Sequence, residues 1–256
     1  MTLRPGEDAS LRAGGATRHE VCAVALADAF RGDGEILASP IGVLPGIAAR
    51  LARATFAPDL LMSDGVAALV NIDGAVEGWL PYRTVFDVVW SGRRHVIMGA
   101  SQIDRHGNQN IACIGDPQKP KAQLLGMRGA PGNTINHTTS YWIPSHSRRS
   151  FVPKVDVVTG VGYDRAAALG ARAARFHEIR RVVTDLAVLD FATPDHAMRL
   201  ASLHPGVTLA DVIEKTGFPL SFVEPVATTR APTDVELDLL RRVIDPRGVG
   251  AREVSA

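Results

Sequence analysis

Apolar and polar positions change period several times along the chain, and the changes mark out its elements. Val21, Val24, Ala25, Ala27 and Ala29 favour a helix over 19–31, ended by Gly32 and Gly34. Glu35-Ile36-Leu37-Ala38 then makes a short strand, broken by Pro40 and Gly42. Residues 46–55 return to a helical pattern, 60–62 form the next strand, Phe86 to Val89 lie in a helix, and 96–98 form a strand that turns at Gly99. Helices alternating with short buried strands predict parallel βαβ units. From Gly99 to Gly162 glycine, proline, asparagine and histidine crowd between strand-like pieces at 111–114, 123–125 and 155–158. Strands at 179–183 and 186–191 follow, then a helix over 209–215 capped by Thr208, and a helix from the capping box Thr233-Asp234-Val235-Glu236 to about Val243.

The predicted fold is therefore α/β: an open, mainly parallel sheet with flanking helices and a turn-rich middle section. Residues 1–18 are expected to be a loose arm, 19–247 one domain, and 248–256 a mobile tail. Composition bounds the function. With 28 basic and 27 acidic residues and 46% hydrophobic content, the chain has no basic excess for nucleic acid. It has no apolar stretch of membrane-spanning length and no apolar leader after its charged first residues. Cys22 and Cys113 make no paired-cysteine motif, which fits a reducing cytoplasm, and Cys22 reads as a core residue.

Three segments carry candidate chemistry. The first is Leu60-Leu61-Met62-Ser63-Asp64-Gly65, an apolar strand feeding a polar turn closed by glycine, the way α/β proteins present side chains at a strand's carboxyl end. The second, Gly99-Ala100-Ser101-Gln102, ends a strand in small residues whose amides can meet a ligand, with Asp104 and Asn108 as internal braces; a tight turn without ligand is equally compatible. The third, Arg128-Gly129-Ala130-Pro131-Gly132-Asn133, bends sharply and offers a cation to a carboxylate or phosphate, or to a surface salt bridge. His137 and His146 are weaker candidates, and no metal-ligand spacing, serine nucleophile elbow, Walker A loop or complete dinucleotide fingerprint occurs.

The three segments, in this order, resemble the β subunits of family I CoA-transferases. The loop Gly99-Ala100-Ser101-Gln102-Ile103-Asp104-Arg105-His106-Gly107-Asn108-Gln109-Asn110 is similar to that family's Gly-Ala-Gln-Ile-Asp loop with one residue extra, and Arg128 to Asn133 loosely matches its glycine-rich loop. The resemblance extends over about 19–245 and implies a CoA-transferase fold, an α-subunit partner in an α2β2 or larger assembly, and CoA as part of the substrate with no permanently bound cofactor. It departs at one point: the family's catalytic glutamate turn here reads Ser63-Asp64-Gly65. Arg93-Arg94-His95-Val96 and Pro131-Gly132-Asn133-Thr134-Ile135-Asn136-His137, followed by Thr138-Thr139-Ser140-Tyr141-Trp142, resemble the branch of that fold whose β subunits likewise lack the glutamate. Members of that branch hydrolyse a carbon–carbon bond in a cyclic keto acyl-CoA from steroid catabolism, with the catalytic glutamate on the α chain.

The resemblance thus implies no certain catalytic residue in this chain, and substrate or CoA contacts from Ser63, Asp64, Gly99, Ala100, Ser101, Gln102, Arg128, Gly129, Pro131, Gly132 and Asn133. A transferase using a displaced carboxylate at Asp64, and a scaffold that completes the α subunit's pocket, are the alternatives. A transferase needs a carboxylate that forms an enzyme thioester with CoA, which Ser63 cannot supply.

Overall fold

A computed structural model of the chain describes residues 15–91, 93–127 and 129–254. The first half alternates as its pattern predicts. Helix α1 (Arg18–Ala27) runs on through a 3-10 turn, and the Thr17 N–H donates to Glu20 Oε2 at its start. Strand β1 (Leu37–Pro40), helix α2 (Val43–Thr55) and strand β2 (Leu61–Ser63) follow. An antiparallel ribbon not anticipated from the sequence comes next, β3 (Ala68–Val70) and β4 (Val76–Trp79), then helix α3 (Tyr82–Ser91) and strand β5 (Arg94–Gly99). The turn-rich middle holds two small hairpins, β6 (Gln102–Ile103) with β7 (Gln109–Asn110) and β8 (Cys113–Ile114) with β9 (Ala122–Gln123). It closes with helix α4 (Ala130–Asn136) and strand β10 (Thr138–Ile143). The remaining elements are α5 (Tyr163–Ala168), α6 (Ala171–Ala174), β11 (Glu178–Thr184), β12 (Ala187–Asp190), β13 (Arg199–Leu203), α7 (Leu209–Lys215), β14 (Ala227–Thr228) and α8 (Asp234–Asp238).

One sheet runs β14-β13-β12-β11-β10-β5-β1-β2-β3-β4. Its centre, β2-β1-β5-β10-β11, is parallel, while β12, β13, β3 and β4 add antiparallel margins. Alternation along the central strands splits the core in two. Ala38, Met62, Ile97 and Trp142 face α1 and α2, whose alanines allow close packing; Val96, Met98, Tyr141 and Ile143 face the other side. Because β1, β2 and β5 run the same way, the Ser63 turn and the Gly99 loop leave the sheet at the same edge.

Four expectations are corrected. Residues 155–158 form no strand: neighbouring strands are already paired, and Asp156 Oδ2 instead accepts from Gln102 Nε2 and the Gly115 N–H, at 3.0 and 2.8 Å. The glycine-rich third segment is not only a bend, since it builds α4, whose first turn tolerates Pro131 because no intrahelical partner is needed there. The end of the chain is folded up to residue 254: Val249–Glu253 is a 3-10 helix, and Glu253 accepts from the Val43 and Leu44 N–H groups at 2.9 and 3.0 Å and from Trp142 Nε1 at 3.0 Å. Likewise Ala16 is buried and Thr17 is the N-cap of α1, which corrects the loose-arm expectation for residues 15–18; residues 1–14 lie outside the described residues. No helix among the described residues is long and apolar enough to cross a membrane.

Candidate functional site

At the carboxyl end of β2 the chain must reverse within a few residues. Gly65 takes φ +82, and a Cβ there would stand 2.3 Å from the Pro40 carbonyl oxygen, so the turn packs directly on the end of β1. Asp64 braces this turn: its Oδ1 accepts from the Val66, Ala67 and Ala68 N–H groups at 2.8–3.0 Å. That is the bracing role for a short carboxylate, and it leaves Asp64 poorly placed as a nucleophile.

Ser63 is buried and takes part in a chain of hydrogen bonds. Leu37 and Ala38 register with Leu61 and Met62, so Ser39 and Ser63, each one residue on, lie side by side. Ser63 Oγ donates to Ser39 Oγ at 3.1 Å and accepts from the Gly65 N–H at 3.2 Å. Arg94, level with Leu37 on β5, donates through Nε to Ser39 Oγ at 3.1 Å and through Nη1 to Asn133 Oδ1 at 2.9 Å. Two of the predicted site residues, Ser63 and Asn133, thus meet through two residues, Ser39 and Arg94, that spacing did not single out as site residues. Arg94 is 8% exposed and forms no ion pair with a described carboxylate; burial pushes its pKa down to about 10.

The Gly99 loop is braced from within. The Ser101 N–H donates to the Asn110 carbonyl, and Gln109 Nε2 donates to the Gly99 carbonyl. Gln102 Oε1 accepts from Asn110 Nδ2 and the Asp156 N–H. The Ser101 amide and the Gln102 side chain therefore already have protein partners and shape the loop that carries Gly99 and Ala100. Asp104 and Asn108 brace the same loop as expected, with Asp104 Oδ1 accepting from the His106 and Asn108 N–H groups. Gly129, Pro131 and Gly132 sit at or in the first turn of α4, next to Asn133. Arg128 lies outside the described residues.

The structure also assembles an Asp–His–Ser line. His95 Nδ1 is 2.7 Å from Asp33 Oδ2, and its Nε2 is 2.9 Å from Ser140 Oγ. Both His95 and Ser140 are 0% exposed, so no substrate reaches the hydroxyl. With Arg180 Nη1 2.6 Å from Asp33, the line ties β5, β10 and β11 to the loop before β1.

The weaker histidine candidates part ways. His137 ends α4, its N–H donating to the Asn133 carbonyl. His146 stacks on Phe151 at 3.9 Å, lies against Thr184 and Thr216, and is structural. Burial, aided by Lys215, pushes His146 down to about 3, and burial pushes His204 down to about 4. Both folded values lie below the ordinary histidine value near 6.5. The unfolded chain therefore takes up protons first as pH falls, and the stability from burying these rings neutral is lost below that value. Lowering pH from 7 to 5 is expected to lower the thermal midpoint of the assembled protein steadily, each histidine contributing up to about 1.4 kcal/mol per pH unit in that window. A midpoint flat between those pH values is the contrary outcome.

Comparison with known proteins follows this geometry. The sequence profile described as "Coenzyme A transferase" matches residues 87–215. The cholesterol ring-cleaving hydrolase IpdB subunit of Rhodococcus jostii (strain RHA1) is 54% identical, the match covering 93% of this chain and 96% of that one. Its namesake in Mycobacterium tuberculosis (strain H37Rv) is 50% identical over 93% of this chain and 98% of that one. The crystal structure of Rhodococcus jostii RHA1 IpdAB superposes with a TM-score of 0.89 at 54% identity, covering 94% of this chain and 99% of that one.

Proposed function

Because the chain belongs to the coenzyme A transferase family, we propose that it is the β subunit of a heteromeric hydrolase that opens the ring of a cyclic β-keto acyl-CoA from steroid breakdown, paired with an α subunit that carries the catalytic glutamate. One observation carries the reading beyond family membership: where a transferase holds its carboxylate, this chain holds Ser63, hydrogen-bonded into Ser39 and linked through it to a buried guanidinium. A hydroxyl in that setting forms no CoA thioester exchangeable with a second acid, and the neighbouring Asp64 is held as a turn brace.

In this reading the α-subunit carboxylate takes a proton from water, and the water oxygen bonds to a ring carbonyl carbon. The adjoining carbon–carbon bond breaks, its electron pair leaving as an enolate that the thioester stabilises. The proton returns to the enolate carbon, and the former ketone becomes a carboxylic acid that ionises. This chain contributes surroundings rather than the base. Ser63 and Asn133 face the acyl group, Asp64 keeps the Ser63 turn in place, and the backbone at Gly99 and Ala100 together with Arg128 and the α4 turn at Gly129, Pro131 and Gly132 lies against the CoA ester. CoA enters only as part of the substrate, with no permanently bound cofactor. The chain acts in the cytoplasm, an assignment in keeping with two cysteines that are both free.

The deciding experiment is turnover by the co-expressed two-subunit complex on the steroid-derived cyclic CoA ester in 18O-labelled water. A ring-opened acyl-CoA bearing one heavy oxygen in a new carboxylate is expected, with no turnover by this chain alone. An intact ring with CoA moved to an added acid, together with inactivation by borohydride in the presence of acyl-CoA, would restore the transferase reading.

A further inference from the structure

Arg94 is a buried cation that forms no ion pair with a described carboxylate. Taking a guanidinium out of water without a carboxylate partner costs several kcal/mol, and folded proteins keep such a charge where something completes it. Two of its nitrogens serve Ser39 and Asn133, and Nη2 bonds no described residue. The side chain lines a cleft of about 710 Å3 with Ile36, Trp90, Arg93, Asn136 and Thr138. Arg175 and Arg180 also border it, against one carboxylate among the described lining residues, Asp33, which already holds His95 and Arg180. The cleft is therefore cationic, while the hydrogen bonds of Arg94 lead to Ser63 and Asn133, the residues that face the acyl group.

We propose that Arg94 and this cleft form the site for the carboxylate released by ring opening, which lies against the guanidinium beside Asn133. This rests on the hydrolase reading and deepens it. A transferase turn supplies a negative charge; here the turn supplies the neutral Ser63, linked through Ser39 to a guanidinium. Its partner is then the carboxylate that ring opening creates on a molecule still carrying its CoA thioester, whereas CoA transfer releases a carboxylate only on the acid that has lost CoA.

The test uses the assembled two-subunit complex and calorimetric titration with two probes, the chemically prepared ring-opened acyl-CoA and free CoA. Arg94→Met is expected to weaken the ring-opened acyl-CoA at least tenfold, leave free CoA within twofold, and keep the thermal midpoint at or above wild type; Arg94→Lys recovers part of the affinity. Should Arg94→Met fail to assemble, Asn133→Asp serves: it gives Arg94 an internal carboxylate of the same shape and should weaken the same probe alone. Unchanged affinity for the ring-opened acyl-CoA overturns the proposal. So does a parallel loss for free CoA, which would assign the cation to the nucleotide end. A wild-type complex that leaves the ring intact refutes the hydrolase reading; one that opens it while Arg94→Met binds product normally refutes only this inference.

Discussion

Replacing Gly65 by alanine is expected to reduce turnover of the assembled complex at least a hundredfold and to lower stability by about 3 kcal/mol. The reason lies in two separable costs. A residue with a Cβ at φ +82 incurs roughly 1–2 kcal/mol from the left-handed conformation alone. The larger cost is steric: the new Cβ would meet Pro40 O at 2.3 Å, Pro40 C at 3.0 Å and Ile41 Cα at 3.1 Å, all backbone atoms at the end of a central strand that cannot swing aside. The turn has to lift, and it takes with it the Gly65 N–H that donates to Ser63 Oγ. Gly74 provides the control. Its φ is also +82, but the nearest atom to an added Cβ is on the flexible Arg50 side chain at 3.8 Å. Gly74→Ala should cost only the conformational part and leave turnover within twofold. Urea midpoints and steady-state rates of the two variants side by side check the pair. Equal effects would mean that close packing of the turn on β1 is not what holds Ser63.

Glu253→Ala is expected to destabilise the complex by about 2–4 kcal/mol although it lies 190 residues from the Ser63 turn. Its carboxylate accepts from two amides at the start of α2, where a helix presents partial positive charge, and from the indole N–H of Trp142, which is 4% exposed. Truncation leaves that indole donor buried without a partner and uncaps the helix in one step. Glu253→Gln keeps acceptor oxygen and shape and should recover about half of the loss. A denaturation midpoint for Glu253→Ala indistinguishable from wild type would show the terminal 3-10 helix to be dispensable.

Legibility in the sequence followed the range of the interactions. The capping boxes at Thr208 and Thr233 were readable because both partners lie within three residues, and their Oγ1 atoms do accept from the Asp211 and Glu236 N–H groups. The alternation of helix and parallel strand was readable for a similar reason, since each element carries its own period. β10 was not: it opens Thr138-Thr139-Ser140, too polar for a central strand on its face, and it is buried because His95 and Glu178 supply partners for Ser140 and Thr138. That the third segment forms helix α4 was hidden by its glycines and proline, which mark turns as readily as a first helical turn. The site was half legible. Resemblance located Ser63 and Asn133, but the Ser39–Arg94 link between them spans 55 residues and exists only through strand register. The tail was misread because Gly248 and Gly250 suggest looseness locally, while what fixes it is Glu253, 210 residues from its partner Val43.

Among the described residues the sheet ends in β4, and this margin carries Val76 and Trp79 at 67% and 61% exposure. A bare hydrophobic margin of this kind is a template for wrong pairing. A cell that makes this chain in excess over its companion would accumulate it as aggregates rather than as a reserve of spare subunits. The two polypeptides therefore have to be produced in step, and a preparation from one gene alone would understate the yield of correctly folded protein.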